Sequence, residues 1–268
     1  SYSFAVVGNI NNSVGIFERR IIPMLNDTDI DFLVSAGNAV SSGGEDKYRA
    51  IKGTLSRLDM PYLLTFGNNE YEEFGSFRFY DHYGPHFFSF TADDSRFIFL
   101  DSTGKTPWQW QLRWLTDILK ADDSKHRFVF IGHPPLEPEE EFFLAQEDDF
   151  LQPMEFRHAL LQTISNFGVD RVFSSNISIY SEREHNGIPY ITTGGAGGLV
   201  LNQDESFYHY VKVTVNADGS VEHSVEELEI GQHPILKQLE SLWFFIHSLF
   251  YVGYLNFILL VSLFLVIS

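Results

Sequence analysis

The stretch FAVVGNINNS, residues 4–13, sets an apolar run against a polar turn, and its reading decides the fold. Four apolar residues followed by a glycine describe a buried strand that ends abruptly. Where strands alternate with helices, ligands collect at such strand ends. Chemistry there usually calls for acids, bases or metal ligands, yet this turn offers Asn9, Asn11 and Asn12.

Working outward, the same punctuation recurs. Short apolar runs at 3–8, 31–35, 61–65, 87–90, 96–100, 127–131, 171–174 and 188–192 read as strands. Amphipathic stretches at 14–25, 46–58, 70–83, 108–120 and 155–167 separate them as helices. That alternation is the signature of an α/β fold. Beyond the glycines at 194, 195, 197 and 198, stretches 207–215 and 220–228 form an expected hairpin around Asn216-Ala217-Asp218-Gly219. Trp108, Leu112 and Leu115 fall at helical spacing and are expected in the core; Trp110 and Trp114 lie along a neighbouring stripe and are expected to pack there too, the alternative being that one is exposed as part of an interface.

Bulk composition narrows the function. With 268 residues, 44% hydrophobic and 16% aromatic, the chain can bury one large core plus an appendage. Its 36 acids against 18 bases give a formal charge of −18, which repels nucleic acid and anionic membrane faces. The absence of cysteine excludes disulfides and thiolate metal sites.

Residues 242–267 contain no Asp, Glu, Lys or Arg, and as a helix they exceed the ~30 Å hydrocarbon core of a bilayer. The aromatic first half, with Trp243, Phe250, Tyr251 and Tyr254, suits the membrane interface, and the aliphatic second half suits its interior. The expected organisation is a globular domain over 1–232 and a single membrane-anchor helix within 233–268. Acidic residues dominate the approach to that helix, a poor cytoplasmic flank, so the domain is expected outside the cytoplasm.

Five strand-end motifs stand in order: Gly8-Asn9-Ile10-Asn11, Gly37-Asn38-Ala39-Val40, Gly67-Asn68-Asn69-Glu70, Gly132-His133-Pro134-Pro135 and Ser175-Asn176-Ile177-Ser178. Together they make the chain resemble the calcineurin-like metallophosphoesterases over roughly residues 3 to 228. The resemblance implies a two-sheet α/β/β/α sandwich. It also implies that Asn9, Asn11, Asn38, Asn69, Asn176 and Ser178 stand where that family holds aspartates and histidines, leaving Asn68 and His133 as the matches to metal ligands. Glu70 keeps its motif position without being an expected ligand.

Carboxylates crowded around metal ions repel each other once the ions are gone, whereas asparagine keeps the shape and an acceptor oxygen without the charge. On this reading Asn9, Asn11, Asn38, Asn68, Asn69, His133, Asn176 and Ser178 line a former active-site cleft. The expectation is a protein with no catalytic residue, metal or cofactor: an accessory or scaffolding subunit bound to membrane protein partners and the lipid bilayer. One alternative is a neutral polar ligand such as a sugar, held by the amides. Another is a rebuilt single-metal centre drawing on Asn68, Glu70, His82, His86, Asp101, His133 and His185. The acidic run at 137–141, continued by Glu147, Asp148 and Asp149, reads as a solvated loop, and Asn176-Ile177-Ser178 reads as structural although it fits the glycosylation pattern.

Overall fold

In a computed structural model, residues 1–138, 146–200 and 205–228 are described. The proposed anchor, including Trp243, Phe250, Tyr251 and Tyr254, lies outside them, as do Glu139, Glu140 and Glu141. Among the described residues no helix is long and apolar enough to cross a membrane.

Residues Ser1–Leu228 form one compact unit. Its elements are β1 (Tyr2–Val7), a π-helical segment (Val14–Ile21) running into α1 (Ile22–Asn26), β2 (Phe32–Ser35), α2 (Glu45–Leu55), β3 (Tyr62–Leu64), α3 (Asn68–Tyr71), α4 (Gly75–Tyr83), β4 (Phe88–Ala92), β5 (Ser95–Leu100), α5 (Trp108–Lys120), β6 (His126–Ile131), α6 (Met154–Phe167), β7 (Arg171–Ser174), β8 (Tyr180–His185), β9 (Ile188–Thr193), β10 (His209–Val215) and β11 (Val221–Glu227). One sheet has the order β11-β10-β1-β2-β3 and the other β4-β5-β6-β7-β9-β8. In the first, β1, β2 and β3 are parallel and the β10–β11 hairpin is antiparallel to its neighbours, with Phe4 opposite Phe32 and Val213. In the second, β5, β6, β7 and β9 are parallel between the antiparallel edge strands β4 and β8.

Alternation along β1 explains the layering, because successive side chains point to opposite faces. Phe4 and Val6 enter a layer between the sheets with Phe97, Phe99, Phe128, Phe130 and Phe173. Ala5 and Val7 face the opposite way, against Phe17, Ile21, Ile51 and Leu55 of the helices over that sheet. Ile98, Leu100, Val129 and Ile131 pack against Leu112, Leu115, Leu160 and Ile164 of α5 and α6. The two mixed sheets with their helices thus form the α/β sandwich that the motif order implies, and strands buried on both faces account for the near-continuous apolar runs. Each fully buried phenylalanine contributes about 1.5–3 kcal/mol.

Three local expectations need correction. The helix expected over 14–25 begins as a π-helix, with Ser13 capping Ile16 at 3.2 Å, and becomes α-helical around Pro23, which lacks the N–H to continue the earlier ladder. The helix expected over 70–83 is broken at Glu72–Phe74, where Glu73 and Phe74 take left-handed backbone. Trp110 is not core: it is 64% exposed, because α5 buries Gln111, Leu112, Leu115 and Leu119 instead.

Candidate functional site

The parallel strands β1, β2, β3, β5, β6 and β7 deliver their C-terminal loops to one end of the unit. Gly8 permits a close approach, since a Cβ there would lie 1.9 Å from the Thr193 carbonyl oxygen. The loops after β1 and β2 are zipped by backbone bonds from Asn9, Asn11 and Asn12 to the carbonyls of Gly37, Asn38 and Ala39 at 3.0–3.1 Å. Asn9, Asn11, Asn12, Asn38 and Asn176 all have positive φ, between 51° and 68°. Asparagine tolerates that region better than most residues, so these turns favour it for their backbone as well as for its side chain.

The side chains then interlock. The Asn38 amide group donates to Asn9 Oδ1 at 3.2 Å and to Asn176 Oδ1 at 3.1 Å, and Asn38 Oδ1 accepts from the Asn69 backbone at 3.0 Å. Asn69 in turn donates to Asn11 Oδ1 at 2.9 Å and to the Val40 carbonyl at 3.0 Å. Asn9 Oδ1 also accepts from the Asn176 backbone at 3.2 Å, while Asn9 Nδ2 reaches Ser178 Oγ at 3.4 Å. Asn176 Nδ2 donates to the Asp149 carbonyl at 3.0 Å. Asn9, Asn11, Asn38, Asn69, Asn176 and Ser178 therefore form one linked network. Asn12 stands apart from it, tying Lys47 and Ser41 together.

Glu70 supports the network from below. Its fully buried carboxylate accepts backbone N–H bonds from Asn38 (3.0 Å), Ala39 (2.6 Å) and Gly67 (3.0 Å), so it ties the second motif loop to the third. Burial pushes its pKa up to about 7, against the pull of those donors. Asp101 does a similar service nearby, folding its loop by accepting from Thr103 and Thr106.

Asn68 and His133 lie outside the network, on the wall of an adjoining cavity of about 300 Å³ lined also by Ser102, Thr103, Asp148 and Phe150. His133 Nδ1 lies 2.6 Å from Ser102 Oγ, which also accepts from the His133 backbone at 3.0 Å. Burial lowers the His133 pKa, opposed by the charges of Asp149 and Asp101, and favours a neutral ring.

This donor set does not fit a two-metal centre. The oxygens of Asn9, Asn38 and Asn176 are turned to N–H donors and carry no formal charge to hold a pair of divalent ions. The residues of a rebuilt single-metal centre are also not brought together. His82 pairs with Glu45 at 3.3 Å, His86 bonds the Ser76 carbonyl at 2.7 Å and stacks on Phe66, and His185 lies on edge strand β8. Among the described residues no cluster of three His, Asp or Glu side chains is placed to hold a metal. Sequence reasoning missed the second role of the asparagines, their left-handed backbone, although the repeated Gly-Asn pairs signal it.

Comparison with known proteins agrees with this fold. The calcineurin-like phosphoesterase family matches residues 8–175. A probable cyclic nucleotide phosphodiesterase of Fibrobacter succinogenes is 27% identical over 111 residues, covering 40% of this chain and 43% of that protein. The purple acid phosphatase PPD1 of yellow lupin (Lupinus luteus) superposes with a TM-score of 0.66 at 16% identity, over 84% of this chain and 52% of that one. GAP50, the anchor in the inner membrane complex of Plasmodium, superposes with a TM-score of 0.59 at 14% identity, over 86% of this chain and 90% of that one. The chain spans about half the length of the phosphodiesterase and of the phosphatase, and at these identities the two structures share its fold.

Proposed function

We propose, from the premise that this chain belongs to the calcineurin-like phosphoesterase family, that it is a non-hydrolytic member serving as an accessory or scaffolding subunit of a membrane assembly. The observation that carries this reading is the Asn38 Nδ2 group, both of whose donated hydrogen bonds go to other side chains of the cleft. Hydrolysis in this family depends on two ions about 3.5–4 Å apart that clamp the substrate and activate water. A ring of mutually bonded amides supplies neither the charge nor the free oxygens to hold them. The charge-free stretch 242–267 would fix the subunit in the bilayer, with the folded unit outside the cytoplasm, and its partners would be neighbouring membrane proteins. A protein of this fold that is an anchor in a membrane complex gives such a use a precedent.

Elemental mass spectrometry of the full chain in detergent, after exposure to manganese, zinc and iron and removal of free ion, tests the reading. Occupancy near zero is expected, and about two tightly held ions per chain would overturn it. In a companion variant, Asn9→Asp, Asn11→His, Asn38→Asp, Asn69→His, Asn176→His and Ser178→His together restore the family's ligand types. That variant gains metal affinity if the motif alignment is right.

The cavity beside the network favours a second reading, in which a neutral polar ligand such as a sugar lies against Asn68, Ser102, Thr103 and Phe150. A rise in Tm with neutral polyols that vanishes in Asn68→Ala would support it.

A further inference from the structure

Every large apolar side chain that is exposed among the described residues follows the C-terminal end of a strand, at the same end of the unit as the amide network. Four of them follow one another along the sequence at 71–80, which makes a row in the chain order: Tyr71 is 42% exposed, Phe74 91%, Phe77 72% and Tyr80 59%. Trp110 and Leu199, 64% and 60% exposed, stand after β5 and β9 at this end as well. Single exposed apolar residues are ordinary, but four within ten positions mark a contact surface.

The row is built, not frayed. Glu73 and Phe74 hold φ of 51° and 63° without being glycines, which aims Phe74 outward. Arg78 fixes that turn by donating to the carbonyls of Glu73 and Gly43, both at 2.8 Å. Gly43 makes room beneath it, since a Cβ there would come within 2.0 Å of the Glu72 carbonyl oxygen.

We infer that this end of the folded unit lies against a lipid surface, with Tyr71, Phe74, Phe77 and Tyr80 entering the interfacial layer. The inference rests on the anchor reading above. The course of the chain supports it: β11 runs antiparallel to β10, which runs antiparallel to β1, so Leu228 leaves at the same end as the β1 and β3 loops. Thirteen residues, 229–241, separate that exit from the charge-free stretch, a reach of at most about 45 Å. So short a tether keeps the row at high effective concentration beside the bilayer and makes a weak contact sufficient. Phenylalanine and tyrosine side by side are the chemistry of the headgroup boundary. The exposed acids Glu72, Glu73 and Asp81 around the row select zwitterionic over anionic lipid.

The native chain lacks cysteine, so single labels can be placed on the full chain at Phe77→Cys and, at the far end of the β10–β11 hairpin, at Ala217→Cys. In phosphatidylcholine vesicles carrying a lipid spin-labelled near its headgroup, the label at 77 is expected to be quenched about threefold more than the label at 217. Phe74→Ser should reduce that difference, and so should replacing half the lipid with phosphatidylglycerol. Equal quenching in vesicles that carry the chain on flotation would overturn this inference and leave the anchor standing. Shielding of position 77 from aqueous iodide without lipid quenching would assign the face to a protein or a second copy, and would also overturn it. A chain that fails to float with the vesicles would overturn the anchor reading and this inference together.

Discussion

The layer between the sheets and the cleft at their ends are each built largely from one residue type, phenylalanine in the first and asparagine in the second, and they hold by opposite means. Phe4 meets Phe128 edge-on at 5.1 Å and Phe97 at 5.6 Å, while Phe130 stacks on Phe99 at 4.8 Å and on Phe173 at 5.4 Å. Each ring touches several others, and its stabilisation scales with the area it removes from water. In the cleft each amide meets named atoms one to one, and its net contribution is near 1 kcal/mol per bond. A lost ring leaves a void, whereas a lost amide leaves orphaned donors and acceptors. The same fold thus keeps volume in one region and directionality in the other.

The largest effect should come from breaking the volume side. Phe128→Ala is expected to cost about 3–5 kcal/mol, read as a lower urea midpoint at unchanged slope. A cost below about 2 kcal/mol would mean that Phe4 and Phe97 close the gap and that the layer is not packed as the contrast requires.

Glu70→Gln comes next, at about 2–3 kcal/mol, because an amide nitrogen would face backbone N–H groups that the carboxylate now satisfies. It also carries a pH signature. The folded pKa of Glu70, about 7, lies above the ordinary value, so the native state binds the extra proton and stability falls as pH rises from about 4.5 to 7. His209 acts in the opposite sense. Burial lowers its pKa to about 4, so the native state sheds a proton and stability rises between about pH 4 and 6.5. The two slopes offset each other in the native chain. Unfolding measured from pH 4 to 8 should therefore show a steeper rise with pH in Glu70→Gln than in the native protein.

The smallest of the three, Asn38→Asp, isolates directionality at nearly constant volume. At neutral pH it should cost about 1–2 kcal/mol, because carboxylate oxygens would face Asn9 Oδ1 and Asn176 Oδ1 with no hydrogen to share. Those oxygens raise the folded pKa of the new carboxyl above its unfolded value. The penalty is then fully present above that raised pKa and shrinks as pH falls through it. If Asn38→Asp cost more than Phe128→Ala, the cleft rather than the inter-sheet layer would be what holds the sheets in register.

Much of the fold was legible because burial on both faces writes strands as unbroken apolar runs. Strand β8 escaped notice for the converse reason. Tyr180-Ser181-Glu182-Arg183-Glu184-His185 is an edge strand without a buried residue, and its pairing to β9 supplies what its side chains do not. The break at Glu72–Phe74 was equally hidden, since it depends on Gly43 and Arg78, one of them some thirty residues away in the chain. In the site, the Gly-Asn pairs marked which loops converge. Which amide bonds which, and the separation of Asn68 from the others, depend on side-chain orientations that only the assembled sheets fix.

Because Asn38 divides its amide hydrogens between Asn9 and Asn176 and lends its oxygen to Asn69, a change at one of these positions strands atoms at the others. The ring is therefore inherited as a unit. Among descendants of this sequence, positions 9, 38, 69 and 176 should stay together or change together, while the phenylalanines between the sheets can drift one at a time toward leucine or methionine.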